Sequence, residues 1–397
     1  MKKHVALGVS GLAALTLVAT GCAGSTASSD ASSATASESA ATSTDGGMVS
    51  TPECGGTIAV MAPLTGGDAS IGQEQLNFAK LAVDDFNSAN GGMYTIVESD
   101  TKLDATQAAT DSAAIGSNSS VIGVVGPASS QEVTAVGPNF KDASMGYVSA
   151  SATNADLTNG SNPGFFRVVP TDAVQGPTDA AFIASTLGAK NVVIIEEETE
   201  YGKGLTTSAS EALTADGVNV TSIPVAQSKK SYDDVIAKIS DNTDVVFVTF
   251  QVAAKSQQVA EGLTKAGKKA VVFGSDGSYS PEFKTPGAYV SAFAPDVTGI
   301  PAAASVVEAY TAAYGTFGTF GPPAYVATQA ILEAAQRACK SSGASADRAG
   351  VLAELPNTNI VDSILGRDIT FDSKGDVDGA KFYIFRLDDA GMPVMAQ

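Results

Sequence analysis

Short apolar runs alternate with helical patterns from residue 57 onward. The run TIAVMAPL (57–64) is apolar almost throughout, which predicts a buried strand. Apolar residues then recur at the spacing of one helical face from Leu76 to Phe86, and Gly91-Gly92 ends that helix. A strand follows at TIVE (95–98), and Asp104 is a typical N-cap for an Ala-rich helix that extends to Ile115. VIGVV (121–125) predicts the next strand, with a helix from about Gln131.

The same alternation restarts further along the chain. Strands are predicted at 191–195, 217–223, 244–250 and 270–273, and helices at 202–215, 232–240 and 253–266. Two long helices follow at 302–314 and 322–339, then strands at DITF (368–371) and KFYIFR (381–386). Strands that alternate with helices form parallel sheets. Residues 54–397 contain two such series and are too many for one ordinary hydrophobic core, which predicts two lobes. The predicted fold class is α/β, with two doubly wound parallel-sheet lobes.

The N-terminus has the pattern of an export signal. Lys2 and Lys3 precede an apolar run (5–19) that is too short to span a bilayer comfortably. The run ends in Ala19-Thr20-Gly21-Cys22, which resembles the lipobox of bacterial lipoproteins and predicts a lipid on Cys22; the alternative is an ordinary secretory signal with an incidental cysteine. Residues 1–21 are the predicted signal peptide, and 22–53, rich in Ala, Ser and Thr, are a predicted disordered tether.

Charge and composition exclude several classes of function. The formal net charge of −19 and the lack of basic clusters argue against a nucleic-acid partner. The one histidine, His4, lies in the signal, so the exported part has no imidazole for a Ser-His or Cys-His nucleophile or a histidine-ligated metal. We expect no metal and no cofactor. In an oxidising compartment, Cys54 and Cys339 are most simply one disulfide.

Two predicted strands are followed by loops rich in hydroxyl groups. Ser129 and Ser130 follow VIGVVG (121–126). The loop SASATNADLT (149–158), which contains Ser151 and Thr153, follows a short apolar run at 146–148. In open α/β sheets, ligands bind at the carboxyl ends of the strands. Hydroxyls and backbone N–H groups there suit a small carboxylate. The alternative is that these residues are turn and N-cap residues.

A histidine-free serine hydrolase is a remote alternative. Residues 99–102 fit S-x-x-K and residues 240–242 fit S-D-N. Ser99, however, ends a predicted strand instead of starting a helix, and the K-T-G element is broken at Pro286. The chain is therefore predicted not to be an enzyme.

Seven motifs taken together resemble the type 1 periplasmic-binding proteins of branched-chain amino-acid ABC transporters. They occur in the order GTIAVMAPLTG, AKLAVDDFNSANGG, GVVGPASS, SASATNADLT, FFRVVPTDAVQG, EEETEYGKGL and VFGSDG. The resemblance implies a two-lobed receptor that closes on an amino acid and delivers it to a membrane permease. It also implies a first lobe of 54–170 and 302–365, and a second lobe of 171–301 and 366–397, joined by a hinge.

The resemblance also assigns the ligand contacts. It implies that Ser130, with its neighbour Ser129, holds the ligand carboxylate, that the S-A-T-N loop contributes a backbone carbonyl at Ser151 and a hydroxyl at Thr153, and that the ammonium meets an acid on the loop after VVFGS. The resemblance further implies positions for that acid and for three other residues. Those positions are Asp276 for the acid, Tyr201 for the aromatic of Y-G-x-G, and Ile71 and Gln251 for the side-chain pocket, where relatives often have aromatic residues.

The ligand and the role of the receptor stay open at this point. The altered pocket leaves a leucine-like amino acid, another neutral amino acid, and an amide or urea-like solute, and Asp276 argues for a group with positive charge. The competing class is a solute-sensing receptor subunit of the same fold. We expect an extracytoplasmic monomer, lipid-anchored to the cell membrane, with ABC permease subunits as its partners.

Overall fold

The first lobe is a five-stranded parallel sheet with the strand order β2-β1-β3-β4-β5. The computed structural model describes residues 54–67 and 69–396, so the predicted signal peptide, Cys22 and the tether lie outside the described residues. The elements of this part, in chain order, are β1 (Gly55–Ala62), α1 (Ala69–Asn90), β2 (Met93–Asp100), α2 (Ala105–Ser117), β3 (Val121–Val125), α3 (Ser130–Asp142), β4 (Tyr147–Ser149) and β5 (Phe165–Arg167).

The second lobe repeats the same topology in the order β7-β6-β8-β9-β10. These strands are parallel, and two late strands extend the sheet in antiparallel fashion beyond β10. Its elements are α4 (Asp172–Ala181), β6 (Asn191–Glu197), α5 (Glu200–Ala215), β7 (Asn219–Val225), α6 (Asp233–Ile236), β8 (Val245–Thr249), α7 (Ala253–Lys265), β9 (Val271–Gly274), β10 (Tyr289–Ala292), β13 (Tyr383–Leu387) and β14 (Pro393–Met395). The α/β class with two parallel-sheet lobes is confirmed.

Between these parts the chain returns to the first lobe. The returning elements are α8 (Ala304–Tyr314), α9 (Gly321–Ser342), α10 (Arg348–Glu354), β11 (Asn359–Ile360) and β12 (Ile369–Thr370). In the described residues the chain passes between the two cores at about 169–172, 292–293 and 382–383. The returning segment is therefore longer at both ends than the segment 302–365 that the resemblance implies. Residues 293–301 and 366–382 belong with the first lobe, because Phe293, Ile369 and Phe371 pack in its core.

Alternating side chains of each central strand supply two separate core layers. In β1, Ile58 and Val60 face α1, α8 and α9, whereas Ala59 and Met61 face α2 and α3. The second sheet is divided in the same way, with one layer under α4 and α5 and the other under α6 and α7. Strands covered on both faces are apolar throughout, which is why the sequence pattern located them without alternation.

Local signals set several helix ends. The Asp104 side chain accepts hydrogen bonds from the backbone N–H groups of Thr106 and Gln107, at 2.7 and 3.0 Å, and so caps α2 as the sequence predicts. The helix expected at 232–240 is shorter, since α6 has four residues. The apolar pattern does not predict α4, although the helix contains the end of the motif FFRVVPTDAVQG.

Cys54 and Cys339 are joined by a disulfide across 285 residues of sequence. Cys54 precedes β1 and Cys339 lies in α9, so both belong to the first lobe and the bond crosses no hinge segment. In the described part of the chain, no helix has the length and apolar character that crossing a membrane requires.

Candidate ligand-binding site

A small cavity lies where the carboxyl ends of the two sheets face each other. Its volume is about 30 Å³. Residues of both lobes form its wall. Most of them follow strands β3, β4, β6, β8 and β9 or lie on helices that begin there, whereas Ile71 lies on α1, Leu103 follows β2 and Phe320 precedes α9. The lining residues are Ile71, Leu103, Ala128, Ser129, Ser130, Ser151, Tyr201, Gln251, Asp276, Gly277 and Phe320. The structure thus brings together every sequence-predicted contact except Thr153.

The loop after β3 presents Ser130 at the first turn of α3. Gly126 adopts a φ of 105° there, and a Cβ at this position would lie 2.3 Å from the Met61 carbonyl oxygen, so only glycine fits. Ser129 donates its hydroxyl and its backbone N–H to Glu132 Oε2, at 2.7 and 3.0 Å, so its hydroxyl is engaged in the helix N-terminus. The Ser130 hydroxyl instead accepts from the Asn154 N–H at 3.2 Å, so its proton can be donated to a ligand oxygen.

The S-A-T-N loop is fixed from several sides. The Ser151 hydroxyl donates to the Ala128 carbonyl at 2.6 Å and accepts from Gln75 Nε2 at 2.8 Å. Thr153 is fully buried and does not line the cavity. Among the described residues the Thr153 hydroxyl has no hydrogen-bond partner of ordinary geometry. It lies near the Asp172 carboxyl and lowers the pKa of that group.

Arg167 holds this loop in place, a role that sequence reasoning missed. One terminal nitrogen of its buried guanidinium donates to the carbonyl oxygens of Ala152 and Asn154, at 3.1 and 2.7 Å, on either side of Thr153. Nε donates to Asp376 Oδ1 at 2.6 Å. Asp376 comes from the segment that was expected in the second lobe, and its ion pair with Arg167 joins that segment to the site loop of the first lobe.

Tyr201 and Asp276 form the polar wall of the second lobe. The Tyr201 hydroxyl donates to Asp276 Oδ1 at 2.5 Å, and both residues are buried. Burial raises the pKa of Asp276 to about 6, while the hydrogen bond from Tyr201 and the amide of Gln175 lower it. Within the described residues Asp276 forms no ion pair. Gly277 allows its backbone to approach the loop after β8 closely, because a Cβ at this position would lie 2.2 Å from the Phe250 carbonyl oxygen.

Two further buried acids, Asp172 and Asp179, lie on α4 close enough to Asp276 for its charge to raise their pKa values. Burial raises the pKa of Asp172 to about 8; the charge of Asp276 raises it further, whereas Thr153 and Arg167 lower it. Burial also raises the pKa of Asp179 well above its usual range, and Asp179 accepts from the Ser291 hydroxyl at 3.0 Å. The motif FFRVVPTDAVQG contains Asp172, and the acid spacing on α4 was the signal that could have located both residues.

The remaining wall is apolar except for Gln251. Ile71 on α1, Leu103 and Phe320 contribute aliphatic and aromatic surface, and Gln251 contributes an amide directly after β8. A groove of about 670 Å³ lies to one side, between the loop 154–162 and α5. Many of its lining side chains are exposed, and Asp276 is not among them. The small cavity is the better candidate because it gathers buried hydroxyls and a buried acid.

The residues of the hydrolase alternative do not meet at this cavity. Ser99 is the last but one residue of β2 and donates to Asp111 at 2.9 Å. Asp241 lies on the second lobe, where its exposed side chain pairs with Lys268 at 2.6 Å. Residues 54–67 and 69–396 contain no group of three or more His, Cys, Asp or Glu that could hold a metal ion.

The chain is similar to known proteins over most of its length. A family described as "Periplasmic binding protein" matches residues 56–392. The "Amino acid binding protein" of Pseudomonas aeruginosa is 25% identical over 345 residues, which cover 84% of this chain and 90% of that protein. The "Leu/Ile/Val-binding protein homolog 3" of Brucella melitensis is 26% identical over 346 residues, covering 84% of this chain and 91% of that protein.

Solved structures show the same fold. The leucine binding protein of Thermotoga maritima superposes with a TM-score of 0.78 at 23% identity, covering 86% of this chain and 97% of that one. A solute binding protein of R. palustris in complex with 4-hydroxybenzoate has a TM-score of 0.75 at 17% identity, covering 86% of this chain and 96% of that one. The fold by itself therefore accommodates ligands of different chemistry.

The fold and the interlobe site define a two-lobed solute receptor. This chain belongs to the periplasmic binding protein family. The named relatives are binding proteins.

Proposed function

We propose that this protein is the extracytoplasmic substrate-binding lipoprotein of an ABC importer, and that it binds one free neutral amino acid between its lobes. The observation that carries the proposal is Asp276, a buried carboxyl that pairs with no cation of the described chain and shares a cavity with Ser130 of the other lobe. A buried carboxylate is costly unless an opposite charge or several donors compensate it. The ammonium group of an amino acid would supply that charge.

In this proposal opposite ends of the ligand belong to opposite lobes. The carboxylate accepts from the Ser130 hydroxyl, while the Ser129 and Ser151 hydroxyls hold the two hydroxyl loops in place through their bonds to Glu132 and to the Ala128 carbonyl. The ammonium meets Asp276, whose carboxyl is oriented by Tyr201. A ligand held in this way has more contacts in the closed state than in the open state, and only such a difference in affinity can drive closure.

The amino-acid class has support beyond the site geometry. Relatives that match most of the chain are named for the binding of amino acids, and of leucine, isoleucine and valine in particular. Asp276 gives the physical reason for the same class, since a benzoate has no ammonium group to offer it.

A thermal-shift screen of the purified protein tests the proposal, because a ligand that binds only the folded state raises the unfolding midpoint by mass action. The screen contains the twenty amino acids, small amides, urea and 4-hydroxybenzoate. Each amino acid that stabilises the protein is then compared with its N-acetyl and des-amino analogues. We expect the free amino acid to stabilise and both analogues to fail. If urea or 4-hydroxybenzoate raised the unfolding midpoint more than any amino acid, the proposal would be contradicted.

The lipid anchor rests on the sequence Ala19-Thr20-Gly21-Cys22, outside the described residues. If Cys22 carries a lipid, Cys22→Ser should move the protein from the membrane fraction to the soluble fraction. Wild-type protein that is already soluble, with no lipid mass on its N-terminal peptide, would refute the anchor. The permease partner of the proposed importer is tested separately, by uptake of the identified amino acid in cells that lack this protein.

A further inference from the structure

Two glutamine side chains join the lobes across the cleft. Gln131 lies in the first turn of α3, in the first lobe, and Gln251 follows β8 in the second lobe. Gln131 Nε2 donates to Gln251 Oε1 at 2.9 Å, and Gln251 Nε2 donates to Gln131 Oε1 at 3.1 Å. The two amides thus satisfy each other as donor and acceptor in one reciprocal pair.

The second lobe holds its half of the pair in position. Gln227 Nε2 approaches Gln251 Oε1 at 3.4 Å. The Lys255 ammonium donates to the Gln227 carbonyl oxygen at 2.7 Å and to Glu197 Oε1 at 2.6 Å, and Glu197 Oε2 lies 3.4 Å from the Gln251 backbone nitrogen. Because these contacts come from one lobe, Gln251 is presented to Gln131 as a supported amide and not as a freely rotating side chain.

The pair lies beside the cavity that the proposed ligand would occupy. Gln251 lines the cavity, and Gln131 is the chain neighbour of Ser130, the proposed carboxylate contact. The cavity of about 30 Å³ has room for about two or three water molecules, since one water needs about 10–15 Å³ of such space. Any amino acid must therefore enlarge it, and the required enlargement grows with the size of the side chain.

We propose that Gln131 and Gln251 form a polar wall that selects amino acids with a small side chain, or one ending in a hydroxyl or an amide, over branched aliphatic ones. This inference rests on the proposed function. An aliphatic side chain at this wall separates the two amides and leaves their partly buried donors and acceptors unpaired, which is unfavourable. A hydroxyl or amide can replace the bonds that it breaks, and a methyl group is small enough to leave them intact. Sites built to form hydrogen bonds reject ligands that lack the matching group.

The choice of ligand in wild-type protein is the first test. Calorimetric titrations compare alanine, serine, threonine and glutamine with leucine, isoleucine and valine. We expect the best of the first four to bind at least tenfold more tightly than the best of the aliphatic three. A smaller difference, or the reverse order, overturns the inference and leaves the proposed function standing. Failure of all amino acids to bind refutes the proposed function and this inference with it.

A double variant provides the second test. Gln131→Leu together with Gln251→Leu replaces the amide pair by an apolar pair of similar length, so leucine should gain at least tenfold in affinity relative to serine and glutamine. Gln258→Leu, on the exposed face of α7, is the matched control and should leave the order unchanged. An unaltered order in a folded double variant overturns the inference. If the double variant does not fold, the wild-type ranking still decides it.

Discussion

The phenolic hydroxyl of Tyr201 donates to Asp276 Oδ1 at 2.5 Å, and both side chains are buried beside the interlobe cavity. Tyr201 lies in the first turn of α5, which follows β6, and Asp276 follows β9, so the sheet of the second lobe brings them together. The contact fixes the direction of the Asp276 carboxyl and moderates the rise of its pKa to about 6. At neutral pH the carboxyl is therefore mainly ionised and suited to an ammonium group.

Asp276→Ala should weaken binding of the best amino acid by about thirtyfold or more. Truncation of one partner of a buried, hydrogen-bonded charge pair costs about 2–5 kcal/mol. Calorimetry on the folded variant measures the change. Asp241→Ala is the control, because the Asp241 side chain is 92% exposed and pairs only at the surface with Lys268. Equal affinity of Asp276→Ala and wild type would show that the ammonium binds elsewhere.

Asp172→Asn should stabilise the ligand-free protein at pH 8 and change it little at pH 4. Burial raises the pKa of Asp172 in the folded state to about 8, from an ordinary value of 3.8. Between those values the folded state binds a proton that the unfolded state does not, so this group makes stability fall as pH rises from about 4 to about 8. Asparagine does not titrate, so Asp172→Asn should remove this contribution to the pH dependence of stability.

Urea unfolding at a series of pH values measures the Asp172 effect. The exposed residue Asp216, at the end of α5, provides the control Asp216→Asn, which should keep the wild-type slope. A parallel pH dependence in Asp172→Asn and wild type would mean that this carboxyl does not hold the proton.

Asp376→Ala should lower the free energy of unfolding by about 3–5 kcal/mol, because it leaves the charge of Arg167 buried without its partner. The Arg167 side chain is 0% exposed. Ligand affinity should fall as well, since the same guanidinium holds the carbonyl groups on both sides of Thr153. Urea unfolding and calorimetry give the two readouts.

A surface ion pair serves as the comparison for Asp376→Ala. Lys80 and Glu98 pair at 2.7 Å with 39% and 49% of their side chains exposed. Glu98→Ala should cost less than about 1 kcal/mol, because exposed ion pairs contribute little. Similar losses for the two variants would contradict a structural role for the buried pair.

Replacement of both Cys54 and Cys339 by serine should lower the free energy of unfolding by up to about 5 kcal/mol, because the cross-link limits the entropy of the unfolded chain. The bond closes a segment of 285 residues. Ligand affinity should be unchanged, since both cysteines lie in the first lobe and away from the cavity. Non-reducing peptide mapping of wild type that finds two free thiols would remove the basis of this prediction.

Much of the site could be predicted because its residues follow strands, and strands are visible in the sequence. The apolar runs at β3, β4, β6, β8 and β9 locate the loops that carry Ser130, Ser151, Tyr201, Gln251 and Asp276. Each of the two parallel sheets brings its own loops to one edge, because the carboxyl ends of parallel strands lie on the same side. The positions of Ser130 and Asp276 could therefore be predicted from the motifs and the topology together.

Contacts between distant segments were decided only by the tertiary structure. The sequence by itself determined the α/β alternation, the two series of strands and the cap of α2, since these depend on neighbouring residues. It did not show that Arg167 pairs with Asp376, that residues 366–382 pack in the first lobe, or that Gln131 meets Gln251. Each of these contacts joins residues 120 or more positions apart. Their formation depends on how the two sheets and their helices pack, which no local pattern encodes.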